Sequence, residues 1–144
     1  MAKIKYTTRK IEDLVLNDDN PRTIDLEGME TIKKSLTELG QLDPILININ
    51  KDRKNVVLSG NQRLRAMIEL GWKECDVAEV DIPLNREKAV VLMMNNHQGS
   101  WDDNRIAKYI EEAVKEDGID YQLTGFTENE KAKYLDRTIS EEVQ

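Results

Sequence analysis

The chain has 144 residues, 39% of them hydrophobic and 34% charged, with a formal net charge of −7 and one cysteine. That length holds one core plus an appendage, the lone Cys75 excludes an intramolecular disulfide or a cysteine-rich metal cluster, and no apolar run approaches the roughly 20 residues of a spanning helix. Met1 to Tyr6 lack the apolar stretch of a secretory signal, so the expectation is a cytoplasmic chain with no membrane partner.

The charge is unevenly placed. Residues 1–75 carry 13 Lys and Arg against 12 Asp and Glu, a net of +1, and residues 76–144 carry 8 against 16, a net of −8. Duplex DNA is a dense polyanion, so this balance argues against strong unassisted binding and confines any anion site to the first half.

In chain order, Thr7 to Leu16 predict a short strand and turn, followed by the loop Asn17-Asp18-Asp19-Asn20-Pro21-Arg22. Asp25 can cap a helix on which Leu26, Met29, Ile32, Leu36 and Leu39 recur near helical spacing, and Gly40 ends it. Ile45 to Ile49 and Asn55 to Leu58 are β-branched runs joined by polar residues, which predicts a hairpin or a closely spaced pair. A second helix starts near Gly60-Asn61 and stops at Gly71; a strand from Cys75 to Ile82 ends at Pro83. Asn85 can cap a third helix carrying Ala89 to Met94, with Met93 and Met94 expected in the core and a break at residues 95–99. Asp102 or Asp103 caps an amphipathic helix with Ile106, Ile110, Ala113 and Val114 that stops at Gly118, and Thr127 to Glu130 is a capping box for a last one.

The chemistry concentrates in Leu58-Ser59-Gly60-Asn61-Gln62-Arg63-Leu64-Arg65-Ala66. A strand that turns through Gly into a helix leaves backbone N–H groups and the positive end of the helix dipole facing outward, and Arg63 and Arg65 add charged donors. That is a phosphate cradle in outline. The residues alone leave open the plainer alternative of a tight turn and two arginines on a solvated face. Two positions apart on a helix, the arginines project about 200° from each other, so one of them, Arg63, is expected to face a ligand.

Four segments in order resemble the ParB-like N-terminal domain of the ParB/sulfiredoxin superfamily: Asn20-Pro21-Arg22, Gly40-Gln41-Leu42-Asp43-Pro44-Ile45, Gly60-Asn61-Gln62-Arg63-Leu64-Arg65-Ala66, and Asn95-Asn96-His97-Gln98. The resemblance covers roughly residues 8–102. It implies an α+β fold, a small mixed sheet with flanking helices over residues 1–101, with a helical extension over 102–144. It also implies a nucleoside triphosphate site, for CTP or ATP with Mg²⁺, in which Gly60, Asn61, Gln62, Arg63 and Arg65 take phosphates. Asn96 with Gln98 would close over the ligand, and Gln41, Asp43 and Pro44 would come from the first box.

Departures from the pattern bear on activity. Asn61 and Gln62 stand where the family box has Glu and Arg, Asn95 replaces the acidic residue tied to hydrolysis, and Gly99 replaces a final Arg. Sulfiredoxin chemistry needs a thiolate where this chain has Asn61, and an amide cannot supply one. A kinase carboxylate could be sought in Glu30 or Asp43, and a nuclease set in Asp18, Asp19 and Asp43. His97, the single histidine, has no partner histidine for a metal site, and no metal-binding set is expected.

The stretch from Asn95 to Asp102, then Leu123 to Phe126, resembles ParB-like domains of phages and mobile elements, many fused to or encoded beside DNA methyltransferases. That likeness implies a nucleotide-binding module regulating or targeting such an enzyme. Contact with DNA would come through a partner or fused domain, and a homodimer is compatible. The alternative is a ParB-fold enzyme: an NTPase, kinase or DNA nuclease.

Overall fold

The structure, a computed structural model, describes residues 3–17, 23–96, 102–116, 123–126 and 128–133. The chain divides into two units, residues 1–98 and 99–144.

In the first unit β1 (Lys5–Lys10) leads through a 3₁₀ turn (Ile11–Asp13) towards α1 (Leu26–Leu39). The side chain of Asp25 accepts a 2.7 Å bond from Gly28 N, the N-cap expected at that position and worth about 1 kcal/mol. Gly40 ends the helix with φ +76°, a conformation that a Cβ disfavours. Of the predicted apolar stripe only Leu36 is buried; Met29 and Ile32 pack at the core edge, whereas Leu26 is 85% exposed.

The hairpin follows as β2 (Ile45–Asn48) and β3 (Val56–Ser59), antiparallel with a register shift between Leu46 and Ile47. Next come α2 (Asn61–Glu69), β4 (Glu74–Val80) and α3 (Leu84–Asn96). The sheet has the order β1-β4-β2-β3; β4 runs parallel to β2, with Ile45 opposite Val77, and antiparallel to β1, with Arg9 opposite Cys75. Val15 bridges Val56 and partly covers the outer edge of β3.

Apolar side chains lie on both faces of the sheet, which explains the nearly continuous β-branched runs. One face contributes Ile45, Ile47, Val57 and Val77 to a cluster with Leu36, Leu64, Ala66, Met67 and Cys75; the other contributes Leu58 and Val80 to a smaller one with Val91 of α3. Asn48 is fully buried and satisfied: Oδ1 accepts from Ile82 N and Asn50 N at 3.0 Å each, and Nδ2 donates to Ile82 O at 2.9 Å. The buried Glu87 takes a 2.8 Å bond from Arg53 Nε and so ties the start of α3 to the hairpin.

Met93 and Met94 are not core residues, contrary to the sequence expectation. They are 55% and 36% exposed: Met93 projects about 200° round from the buried Val91 and so turns away from the packed face, while Met94 shares that face but sits in the last turn, where it borders a cavity.

The second unit holds α4 (Asp103–Glu116) and a short α5 (Glu128–Lys131). Asp102 Oδ1 accepts from Asn104 N and Arg105 N at 3.1 and 3.0 Å, the cap expected there. Ile106 and Ile110 are buried with Phe126 packed on them. Gly118 and Thr127, the predicted stop and cap, lie outside the described residues. Among the described residues no helix is long and apolar enough to cross a membrane.

Candidate functional site

The strand-to-helix turn after β3 builds the site. Ser59 ends the strand and Gly60 turns the chain with φ +105° and ψ 18°, left-handed geometry that an L side chain adopts at a penalty. An added Cβ at Gly60 would also stand 2.8 Å from Ile45 Cδ1 and 3.0 Å from Arg63 Nη2, so glycine is required there by space as well as by torsion. As N-cap, Gly60 brings no side chain to satisfy the first N–H groups of α2, and the dipole end of this nine-residue helix faces a cavity of about 370 Å³. Gly60, Asn61, Gln62 and Arg63 all line it, as do Ser59 and Asp43.

Asn61 is buried at 4% exposure, and its Oδ1 accepts a 2.8 Å bond from Asn17 N. That bond fixes the sense of the carboxamide, because Oδ1 must face the donor and Nδ2 becomes the other end. Arg63 folds back over Gly60. Its Nη1 donates to Asp43 O, its Nη2 donates to Pro44 O at 3.2 Å, and Nη2 lies 3.9 Å from Asp43 Oδ2. Burial lowers the Arg63 pKa, and the Asp43 carboxylate opposes that shift; the guanidinium remains a cation.

Gln41 holds the same segment from the sheet side. Its Nε2 donates to Asp43 O at 3.1 Å and to Asp76 O at 2.7 Å, and its Oε1 accepts from Asp76 N at 2.8 Å. Beyond the segment lies a second cavity of about 410 Å³, bordered by Thr8, Gln41, Leu42, Asp43, Pro44 and Asp76.

Of the residues singled out in the sequence, Gly60, Asn61, Gln62, Arg63 and Asp43 meet in the first cavity; Gln41 and Pro44 border the second. Arg65 is exposed and lines neither, and Asn96, also exposed at the end of α3, does not line the first cavity although its neighbour Asn95 does. Gln98, His97, Trp101, Asp18, Asp19 and the Asn20-Pro21-Arg22 segment lie outside the described residues. Sequence reasoning missed Thr23, Ile24, Ile32, Leu58 and Met94 as lining residues. Only folding brings them together, since three elements and a loop converge there, and none has a chemically distinctive side chain. Among the described residues no group of three or more His, Cys, Asp or Glu could hold a metal ion.

The profile of the ParB N-terminal domain matches residues 2–97. A probable chromosome-partitioning protein ParB of Campylobacter jejuni is 31% identical over 94 residues, which are 65% of this chain and 34% of that protein, so the chain spans about a third of that relative. The C-terminally truncated ParB of Caulobacter crescentus complexed with CTP-gamma-S superposes with a TM-score of 0.71 at 20% identity, over 97% of this chain and 87% of that one. The same protein complexed to the centromeric parS site gives 0.52 at 20% identity, over 93% and 64%. At these identities the structural likeness speaks for the fold.

Proposed function

This chain belongs to the ParB N-terminal domain family, and on that premise we propose that its first unit is a nucleotide-binding module that regulates or targets an associated DNA-acting protein. The ligand is a nucleoside triphosphate, CTP in first place and ATP as its competitor, with Mg²⁺ carried on the phosphates.

One observation carries the reading. The uncapped start of α2 and the Arg63 guanidinium converge on a cavity of about 370 Å³, within the roughly 300–1,000 Å³ of small-molecule sites. The N–H groups of the first turn and the Asn61 amide donate to phosphate oxygens, and Arg63 supplies a cation. Ile24, Leu58 and Met94 give the rest of the cavity an apolar lining for the sugar and base. Arg65, exposed on the other side of α2, draws anions from a distance without gripping them. The Caulobacter complex with CTP-gamma-S supports this class of ligand.

The role at DNA is indirect. A net charge of −7 disfavours autonomous duplex binding, while the parS complex of the Caulobacter protein supports a place in DNA transactions. A fused or separate partner, such as a phage or mobile-element DNA methyltransferase, supplies the contact, and two copies of the chain can act together in the cytoplasm. An enzymatic reading has less support, because Asp43 is the one carboxylate among the described residues lining the cavity, and it faces Arg63.

Isothermal titration of the 144-residue chain with CTP, ATP, GTP and UTP, with and without Mg²⁺, tests the reading. Saturable heat from at least one is expected. Absence of heat from every nucleotide at millimolar concentration removes it.

A further inference from the structure

We propose that Arg63 is a positioning residue that carries occupancy of the α2 cavity to the Gln41–Pro44 segment and through it to the second cavity; this rests on reading the α2 cavity as a triphosphate site.

The acceptors of Arg63 all belong to one short segment: Asp43 O, Pro44 O at 3.2 Å, and the Asp43 carboxylate at 3.9 Å. That segment is the partition. Asp43 borders both cavities, Arg63 only the first, and Gln41 and Pro44 only the second. The Asp43 carbonyl accepts from both sides at once, from Arg63 of α2 and from Gln41, and Gln41 is in turn bonded to both the N–H and the carbonyl of Asp76 in β4. A continuous chain of hydrogen bonds therefore runs from α2 through the partition to the sheet.

A polyphosphate entering the first cavity acts on this chain in two ways. A phosphate offers the guanidinium paired N–H···O⁻ bonds and a full opposite charge that neutral carbonyls lack, so the ligand draws it away from Asp43 O and Pro44 O. The same ligand repels the Asp43 carboxylate, a like charge on the wall of its own cavity. Both effects loosen the partition. The Asp43 carbonyl then keeps only Gln41 as donor, and the segment, released from α2, carries Gln41 with it as it moves and strains the bonds from Gln41 to Asp76. Occupancy of one cavity is thus reported on the opposite side of the segment, at Thr8, Leu42 and Asp76.

Hydrogen exchange on the full 144-residue chain, with CTP as the probe, tests this. In the wild type, saturating CTP should protect the first turn of α2 and speed exchange at Asp76, whose N–H is held by Gln41 Oε1, by at least about fivefold. Arg63→Lys keeps the charge but cannot bridge two carbonyls, so without ligand its Asp76 N–H should already exchange at the fast rate. Protection of α2 with no change at Asp76 overturns the inference and leaves the nucleotide reading intact. Wild-type exchange at Asp76 in ligand-free Arg63→Lys also overturns it. No binding heat from CTP or from any of the other three nucleotides removes both together.

Discussion

Asn61 Oδ1, at the first residue of α2, accepts a 2.8 Å hydrogen bond from the backbone N–H of Asn17, 44 positions earlier in the chain. Both residues are buried, at 4% and 7% exposure, so this bond fastens the end of the β1 connection to the Gly60 turn. It also commits the acceptor end of the carboxamide and leaves Nδ2 for the ligand. Asn61→Ala should destabilise the fold by about 1–3 kcal/mol, because it strands a buried N–H. Asn61→Asp keeps an acceptor for Asn17 but brings a negative charge to the proposed phosphate site. Its nucleotide affinity should fall about tenfold or more, a change of roughly 1.4 kcal/mol. Equal affinities for wild type and Asn61→Asp would mean that the amide does not face the ligand.

Gly60 and Arg63 form a second coupled pair. The glycine sits at φ +105°, and the space a Cβ would take is already held by Ile45 Cδ1 and Arg63 Nη2. Gly60→Ala should therefore cost about 1–3 kcal/mol for backbone strain, more if the Ile45 methyl cannot shift. It should also displace the guanidinium and weaken nucleotide binding. Urea denaturation and calorimetry on the same preparation separate the two effects.

Much of this arrangement was legible in the chain before folding. The Asp25 cap, the Gly40 stop, the paired β-branched runs and the Gly60 turn are local signals, set by torsion or by bonds within a few residues, and the structure places each where the sequence indicated. Met93 and Met94 were misjudged because hydrophobicity shows neither which face of α3 meets the sheet nor that its last turn borders an open cavity. The partners of Arg63 were invisible for a different reason: its acceptors are mainly backbone carbonyls 19 and 20 residues away, and a carbonyl leaves no trace in residue identity. The same holds for Asn17, whose contribution to the site is its N–H.

Cys75 supplies a test of the core by pH. Burial pushes its thiol from 9.0 up to about 11, with Asp76 adding to the rise and Arg63 opposing it. A folded pKa above the unfolded one means that the stabilisation is fully present below the unfolded value and lost as pH climbs through the folded value. The window thus opens near 9.0 and closes near 11. At about 1.4 kcal/mol per unit, the loss across it is about 2 kcal/mol once partial solvation is allowed for. Denaturant melts across that window should show a steeper decline for wild type than for Cys75→Ala. Rapid alkylation of the native chain at neutral pH would contradict a buried, protonated thiol.

The last expectation concerns DNA. Lys3, Lys5, Arg9 and Lys10 are the densest basic run in the chain, and as a free arm they could grip a duplex despite the acidic total. In the fold, three of the four belong to β1, and β1 lies against acidic β4. Lys5 is opposite Glu79, Lys10 is opposite Glu74, and Thr8 donates to Asp76 at 2.9 Å. Arg9 is committed further, with Nη1 3.6 Å from Glu79 Oε1 and Nη2 bonded to Asn55 Oδ1 at 2.9 Å. Each phosphate approaching this strand meets a carboxylate within one strand spacing of every lysine or arginine on it, so few counterions are released on contact. The isolated chain should therefore bind random duplex weakly, with affinity vanishing as salt approaches physiological strength, where the Debye length is about 8 Å. Fluorescence anisotropy with a labelled random duplex at low and physiological salt measures this directly. Binding that stays tight at physiological salt and disappears when Lys3, Lys5, Arg9 and Lys10 are neutralised would show that the strand outcompetes its own acidic neighbour and that the domain contacts DNA unaided.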